Sequence, residues 1–412
     1  MSSPQFDLIV FGATSFVGEI LCRYLTTEYG VDGEVKWAAA GRSQGKLEKL
    51  RSTLGEQAKE LTILIADASD ESALELLCRQ TRVIISTVGP YALYGEPLIK
   101  VCTQTGTDYC DLTGEVPWVS RMLTRYSEEA EKSGARIVHC CGFDSIPSDM
   151  GVWHLQQNAR KHFGNSCNTI RMRVKALRGE ASGGTIASMI NMTREAAKSK
   201  SLRRQLANPY SICPPAHGFT ARQTNVTMPE LDAESGQWAG PFIMAGVNTR
   251  VVHRSNALSG NAYGDDFKYD ESMLMGKGLK GRLSASGFVL GLGAFLAGAA
   301  IKPTRWVMEN YLLPKPGEGP SLKAQEKGYY DIRFYGETAD GHTIKTKVLG
   351  DRDPGYGSTA KMLAQAALSL AFDVDKADKA GGFWTTATVF DQRFIDRLEE
   401  NAGLNFTVLS MD

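Results

Sequence analysis

Six short apolar runs alternate with amphipathic segments across the first third of the chain, and this alternation restricts the fold more than any other feature. The runs are FDLIVF from Phe6, EVKWAAA from Glu34, LTILIA from Leu61, RVIISTV from Arg82, TDYCDL from Thr107 and ARIVHCC from Ala135. Segments of helical length rich in Ala, Leu and Glu lie between them, including 16–27, 69–80 and 116–133. Strands that are apolar on both faces must be covered on both faces, and intervening helices do that in a parallel sheet. Right-handed crossovers then leave a doubly wound α/β sheet as the compact solution. A chain of 412 residues exceeds one core, so two domains are expected: a Rossmann domain over 1–148 and a second over 149–412.

The loop GATSFVG follows the first strand and opens the first helix, where a glycine-rich turn can hold a dinucleotide pyrophosphate on free helix N–H groups. Against the pattern G-x-x-G-x-x-G, Gly12 and Gly18 match and Ser15 replaces the middle glycine. Gly12, Thr14, Ser15, Phe16, Val17 and Gly18 are therefore cofactor candidates. The competing reading is a tight turn without ligand. At the end of the second strand, a carboxylate would select NAD and a cation NADP. Here Gly41 is followed by Arg42 and Ser43, with Lys46 beyond, so NADP(H) is expected over NAD. Asp67 and Ala68 after the third strand fall at the adenine, and Val88, Gly89, Pro90 and Tyr91 after the fourth at the nicotinamide ribose.

Hydride transfer also needs a group that stabilises developing charge and a source of protons. Tyr91, with Tyr94 as an alternative, Asp111 and Asp144 are the catalytic candidates, because they follow parallel strands at the carboxyl ends where such sheets bind ligands. The same aspartates could instead cap helices or anchor turns. His139 falls within a strand-like run and reads as buried structure.

Three motifs in order, VGPYALYG from Val88, GTDYCDLTGE from Gly106 and GFDSIPSDMG from Gly142, resemble the saccharopine dehydrogenase-like oxidoreductases. The likeness extends through SGGT from Ser182, LPKPGEGPS from Leu313 and DPGY from Asp353, and is nearest to the trans-acting enoyl reductases. It implies an NAD(P)-dependent Rossmann domain and a second α/β domain that builds the substrate cleft and often a dimer contact. The family loop usually reads GATGFVG, so Ser15 is a departure. On this resemblance the expected activity is reduction of an apolar or lipid-linked enoyl or carbonyl substrate. The alternatives are a saccharopine-type amino-acid dehydrogenase and a non-catalytic NADP-binding, membrane-associated scaffold.

Beyond Ser148, TIRMRVKAL from Thr169, the run 329–335 and the run 342–349 alternate with period two, which predicts an α+β domain on a mainly antiparallel sheet. Arg171, Arg173 and Lys175 share the face expected to be solvated. The stretch 201–264 lacks periodicity and reads as irregular structure or a lid, and Ser182–Thr185 could offer a second anion site or simply cap a helix. The tail after 381 reads as strand, helix and strand, closing the second domain or docking back on the first.

The segment 284–301 carries no charge and is bracketed by Lys277, Lys280 and Arg282 and by Lys302 and Arg305. It reads, in order of preference, as a buried or dimer-interface helix, as an element meeting a membrane surface, or as a transmembrane span. A homodimer is the expected assembly. Forty-six basic against forty-six acidic residues exclude a polyanion field, so nucleic acid is not an expected partner. The eight cysteines form no metal-like spacing, so no metal is expected. Without a visible secretion signal the expected compartment is the cytoplasm, with the inner face of a membrane as the variant.

Overall fold

The computed structural model describes residues 4–179, 183–308 and 319–412, with backbone only for 183–187. Strands β1 (Phe6–Phe11), β2 (Trp37–Gly41), β3 (Thr62–Ile65), β4 (Thr81–Ser86), β5 (Asp108–Asp111) and β6 (Arg136–Val138) form a parallel sheet ordered β6-β5-β4-β1-β2-β3. Leu8, Ile9 and Val10 are wholly buried, as a central strand covered by helices on both faces requires. The chain runs from β1 to β3 on one side and then returns to place β4 on the other. The loops after β1 and β4 therefore diverge at a topological switch point, where a parallel sheet opens a crevice.

The following strands build a second sheet: β7 (Cys167–Arg178), β8 (Glu230–Leu231), β9 (Trp238–Pro241), β10 (Lys268–Leu274), β11 (Tyr329–Thr338) and β12 (Thr343–Gly350). Then β13 (Gly382–Trp384) pairs parallel with β6 as a seventh strand of the first sheet, and β14 (Leu404–Met411) pairs antiparallel with β12 in the second. The second sheet is antiparallel except for the β7–β10 pair.

Contacts divide the chain into two compact units. The first joins residues up to Asp144 with Gly355–Ala402, and the second joins Ser145–Pro354 with Gly403–Asp412. The sequence reading placed 149–412 in one domain and left open a return of the tail. In the structure, 355–402 is part of the first unit because β13 continues its parallel ladder.

Three local expectations change. Arg173 is 4% exposed and forms ion pairs with Asp232 and Asp270, so it departs from the solvated face expected for it, whereas Lys175 on the same face is exposed and Arg171 half-buried. The stretch 201–264 is not wholly irregular, since it holds β8, β9 and the helix Ala245–Leu258. The helix Gly278–Ala300 buries only Gly281, Ala285 and Ala299 within the chain, so it is not a core helix. Ser182 and residues 313–318 lie outside the described residues.

Candidate cofactor and active site

The crevice above β1 and β4 is shaped by two glycines. Gly12 has φ +90, and a Cβ there would lie 2.7 Å from Thr87 Oγ1 and 2.8 Å from Val88 Cγ2. A Cβ on Gly18 would lie 2.3 Å from the Gly12 carbonyl oxygen, so the first turn of the helix Phe16–Tyr29 rests on the loop backbone. Ser15 is the N-cap of that helix, and its Oγ accepts the Gly18 N–H at 3.0 Å. The same hydroxyl donates to Thr87 Oγ1 at 2.9 Å, and Thr87 donates in turn to the Gly12 carbonyl at 2.9 Å. Among the described residues, the amides of Thr14, Phe16 and Val17 have no intramolecular acceptor. Those three donors at a positive helix end fit a pyrophosphate, and the glycine cradle admits its close approach. Tyr356, the last residue of the DPGY motif, packs edge-on against Phe16 with ring centroids 5.1 Å apart.

At the end of β2, Arg42 and Lys46 are exposed beside the start of the helix Gln44–Leu54. Its N-cap Ser43 makes no capping bond, and no acid stands in its first turn. Two cations, a hydroxyl and a helix N-terminus fit the 2′-phosphate of NADP. Asp67, one residue beyond β3 and Ala66, accepts from the Ser69 backbone at 2.9 Å and hydroxyl at 2.7 Å. These bonds, with a smaller contribution from Arg42, hold its carboxyl below the usual range. Asp67 thus folds the turn, and Ala68 follows it half-buried.

Tyr91 does not stand where its catalytic assignment requires. It is 5% exposed, its hydroxyl donates to the Ser86 carbonyl at 2.9 Å, and burial with the Asp111 charge raises its pKa far above the phenolic range. Its amide and that of Ala92 are held by the two oxygens of Glu115, each at 2.9 Å. The Val88–Gly89–Pro90 loop, with a cis Gly89–Pro90 bond, is thereby clamped at its far end. Tyr94 is 49% exposed.

Asp111 ends β5 and is fully buried. Its Oδ1 accepts from the Thr113 and Cys140 amides at 3.0 and 3.1 Å, and its Oδ2 accepts from the Tyr109 hydroxyl at 3.0 Å and meets His139 Nδ1 at 2.7 Å. A carboxylate with four internal partners is an anchor for the β5 and β6 ends and not a group that meets substrate. His139, buried as the sequence predicts, lies one residue past β6 and completes this anchor, and its Nε2 has no partner among the described residues.

Asp144 differs from both. It is half-buried, and a Cβ on Gly142 or Gly114 would approach its carboxyl oxygens to 3.2 and 3.3 Å. Lost hydration, reinforced by the Asp111 charge and opposed by its own backbone N–H, pushes its carboxyl up to about 7. A carboxyl poised there exchanges a proton near neutral pH.

A parallel sheet with a pyrophosphate cradle, a cationic second loop and a neutral-range carboxyl defines a dinucleotide-dependent oxidoreductase. Residues 8–138 match the family described as the saccharopine dehydrogenase NADP binding domain. A trans-acting enoyl reductase of Mycobacterium tuberculosis is 36% identical over 409 residues, covering 96% of both chains. A second protein of that organism, provisionally given the same name, is 39% identical over 405 residues, covering 96% of this chain and 95% of its own. The apo saccharopine dehydrogenase (L-Glu forming) of Saccharomyces cerevisiae shares the fold, with a TM-score of 0.56 at 12% identity, covering 98% of this chain and 100% of that one. The chain belongs to the saccharopine dehydrogenase-like oxidoreductases, in the group of the trans-acting enoyl reductases, and is an NADP(H)-dependent oxidoreductase.

Proposed function

We propose that the protein reduces the carbon–carbon double bond of an apolar, lipid-type acyl thioester, with Asp144 as the proton donor. The observation that carries the role of Asp144 is its carboxyl near pH 7 in a glycine-lined space at the end of β6. The enoyl chemistry is carried over from the relatives named as enoyl reductases. When bound, NADPH supplies the hydride, which adds to the β carbon of the substrate. The amides of Thr14, Phe16 and Val17 would hold its pyrophosphate, and Arg42, Ser43 and Lys46 would hold its 2′-phosphate. Charge collects on the thioester oxygen, and the protonated Asp144 carboxyl transfers its proton to the α carbon. Asp111 keeps the β5 and β6 ends in register for this.

A saccharopine-type amino-acid dehydrogenase would need cations free to meet substrate carboxylates. Arg171 and Arg173, neighbours on one face of β7, are engaged: Arg173 by Asp232 and Asp270, and Arg171 by Glu234 at 3.2 Å and Glu337 at 3.7 Å. That counts against the second reading. The test is NADPH oxidation with a panel of α,β-unsaturated acyl thioesters of increasing chain length, beside amino-acid plus keto-acid pairs. Turnover with the thioesters, rising with chain length, is expected. Turnover only with the amino-acid pairs would reverse the assignment.

A further inference from the structure

Trp238 and the helix Gly278–Ala300 define a surface that the reductase chemistry does not use. The helix packs on β9 and on the helix Gly183–Lys198, and along it Gly281, Ala285 and Ala299 are buried and Phe288, Leu292 and Phe295 half-buried. Its other side leaves Leu279, Leu283 and Leu290 at 71%, 63% and 73% exposed, and Ile301 and Trp306 just beyond it at 56% and 57%. Isolated exposed leucines are ordinary, but a row of them along one helix marks a contact surface.

Charge narrows the choice of what covers it. From Ser272 to Met308 the chain has five basic residues and no acidic one, although the whole chain is balanced at forty-six of each. Arg282 lies over the Trp238 ring at 5.4 Å, and Arg305 donates to the Ala299 carbonyl at 3.1 Å, closing the helix end. Lys277, Lys280 and Lys302 are exposed and make no ion pair among the described residues. Apolar side chains flanked at both helix ends by unpaired lysines complement a layer that is apolar below and anionic above.

We propose that this face docks on an anionic lipid bilayer, with the helix Gly278–Ala300 lying in the plane of the surface and the three lysines among the headgroups. Packing against β9 along one side holds the helix to its own unit, which fits insertion of the outer face and not passage through the bilayer. The proposal does not depend on which substrate is reduced.

The test is flotation of the full chain with phosphatidylcholine vesicles with and without phosphatidylglycerol. Binding to the anionic vesicles that weakens with salt is expected. Lys277→Gln, Lys280→Gln and Lys302→Gln together should weaken it on the order of a hundredfold, about fivefold for each cation. Leu283→Glu with Leu290→Glu should abolish it, while NADPH binding and the melting transition stay at wild-type values and so report intact folding. Three outcomes overturn the proposal. The chain does not float with anionic vesicles at low salt; or it resists extraction by high salt and alkali, as a span would; or the leucine variant binds vesicles as before and instead converts a dimer to a monomer.

Discussion

Ser15 Oγ donates to Thr87 Oγ1 across 2.9 Å, tying the loop after β1 to the loop after β4. The residue that departs from the glycine pattern is thereby a strap within the cradle. Because the hydroxyl also caps the helix Phe16–Tyr29, Ser15→Ala should cost about 1 kcal/mol of stability. Ser15→Gly should weaken NADPH binding severalfold, read by fluorescence titration. Tighter binding in that variant would mean the Cβ of Ser15 obstructs the phosphate.

Gly12 has a stricter requirement than Ser15. Its φ of +90 and the 2.7 Å approach to Thr87 Oγ1 leave no room for a methyl group. Gly12→Ala should cost about 1–3 kcal/mol and lower NADPH affinity more than tenfold. Thermal unfolding with and without NADPH measures both effects.

Arg42 and Lys46 are the residues proposed to set the choice between the two dinucleotides. Loss of a charge-assisted hydrogen bond to phosphate costs about 1.5–3 kcal/mol. Arg42→Ala should therefore lower NADPH affinity about tenfold or more and leave NADH affinity unchanged, so the ratio of the two dissociation constants is the readout. An equal loss for both cofactors would move the 2′-phosphate site elsewhere.

The raised Asp144 carboxyl also predicts how stability varies with pH. An unfolded aspartate releases its proton near pH 4, whereas the folded one retains it up to about 7. Across that window the folded state binds more protons than the unfolded state. Stability supplied by this group is complete below the window and is lost as pH rises through it. Asp144→Asn should flatten that part of the stability profile, measured by denaturant unfolding from pH 4 to pH 8.

The sequence carried the first unit well. The helix Val116–Ser133 has the bounds read from its periodicity, because apolar spacing coincides with a clear end at Gly134. β1 also runs over the whole of its apolar stretch, Phe6–Phe11. What escaped depends on partners distant in the chain. Arg173 alternates like a solvated residue, yet the carboxylates that bury it lie 59 and 97 positions away. The helix Ala245–Leu258 buries Asn248, Arg250, His253 and Arg254, so it lacks the apolar stripe that reveals a helix. β13 has three residues and no signal for pairing with β6.

At the site, the glycine loop and Arg42 could be named as cofactor candidates from the sequence because each pattern is local, and the variants above test them. Thr87 and Glu115 were not singled out, since each acts through a hydrogen bond to a segment distant in the chain, while the reading of His139 as buried structure agrees with its 7% exposure. Thr87 had one usable signal: it directly precedes the VGPY motif after β4. Asp111 ends β5 and Tyr91 opens the short helix after β4, and in both the burial and internal bonds that hold the loops together depend on partners the sequence does not reveal.

The most direct measurement of the central claim is the pH dependence of NADPH oxidation with an enoyl thioester, for the wild type and for Asp144→Asn. With Asp144 as the proton donor, wild-type kcat falls about tenfold per pH unit above about 7. The variant is then slower by about a hundredfold or more at pH 6, shows no such fall, and binds NADPH as the wild type does. A variant with wild-type turnover, or one that keeps the same pH-dependent fall, would contradict the assignment.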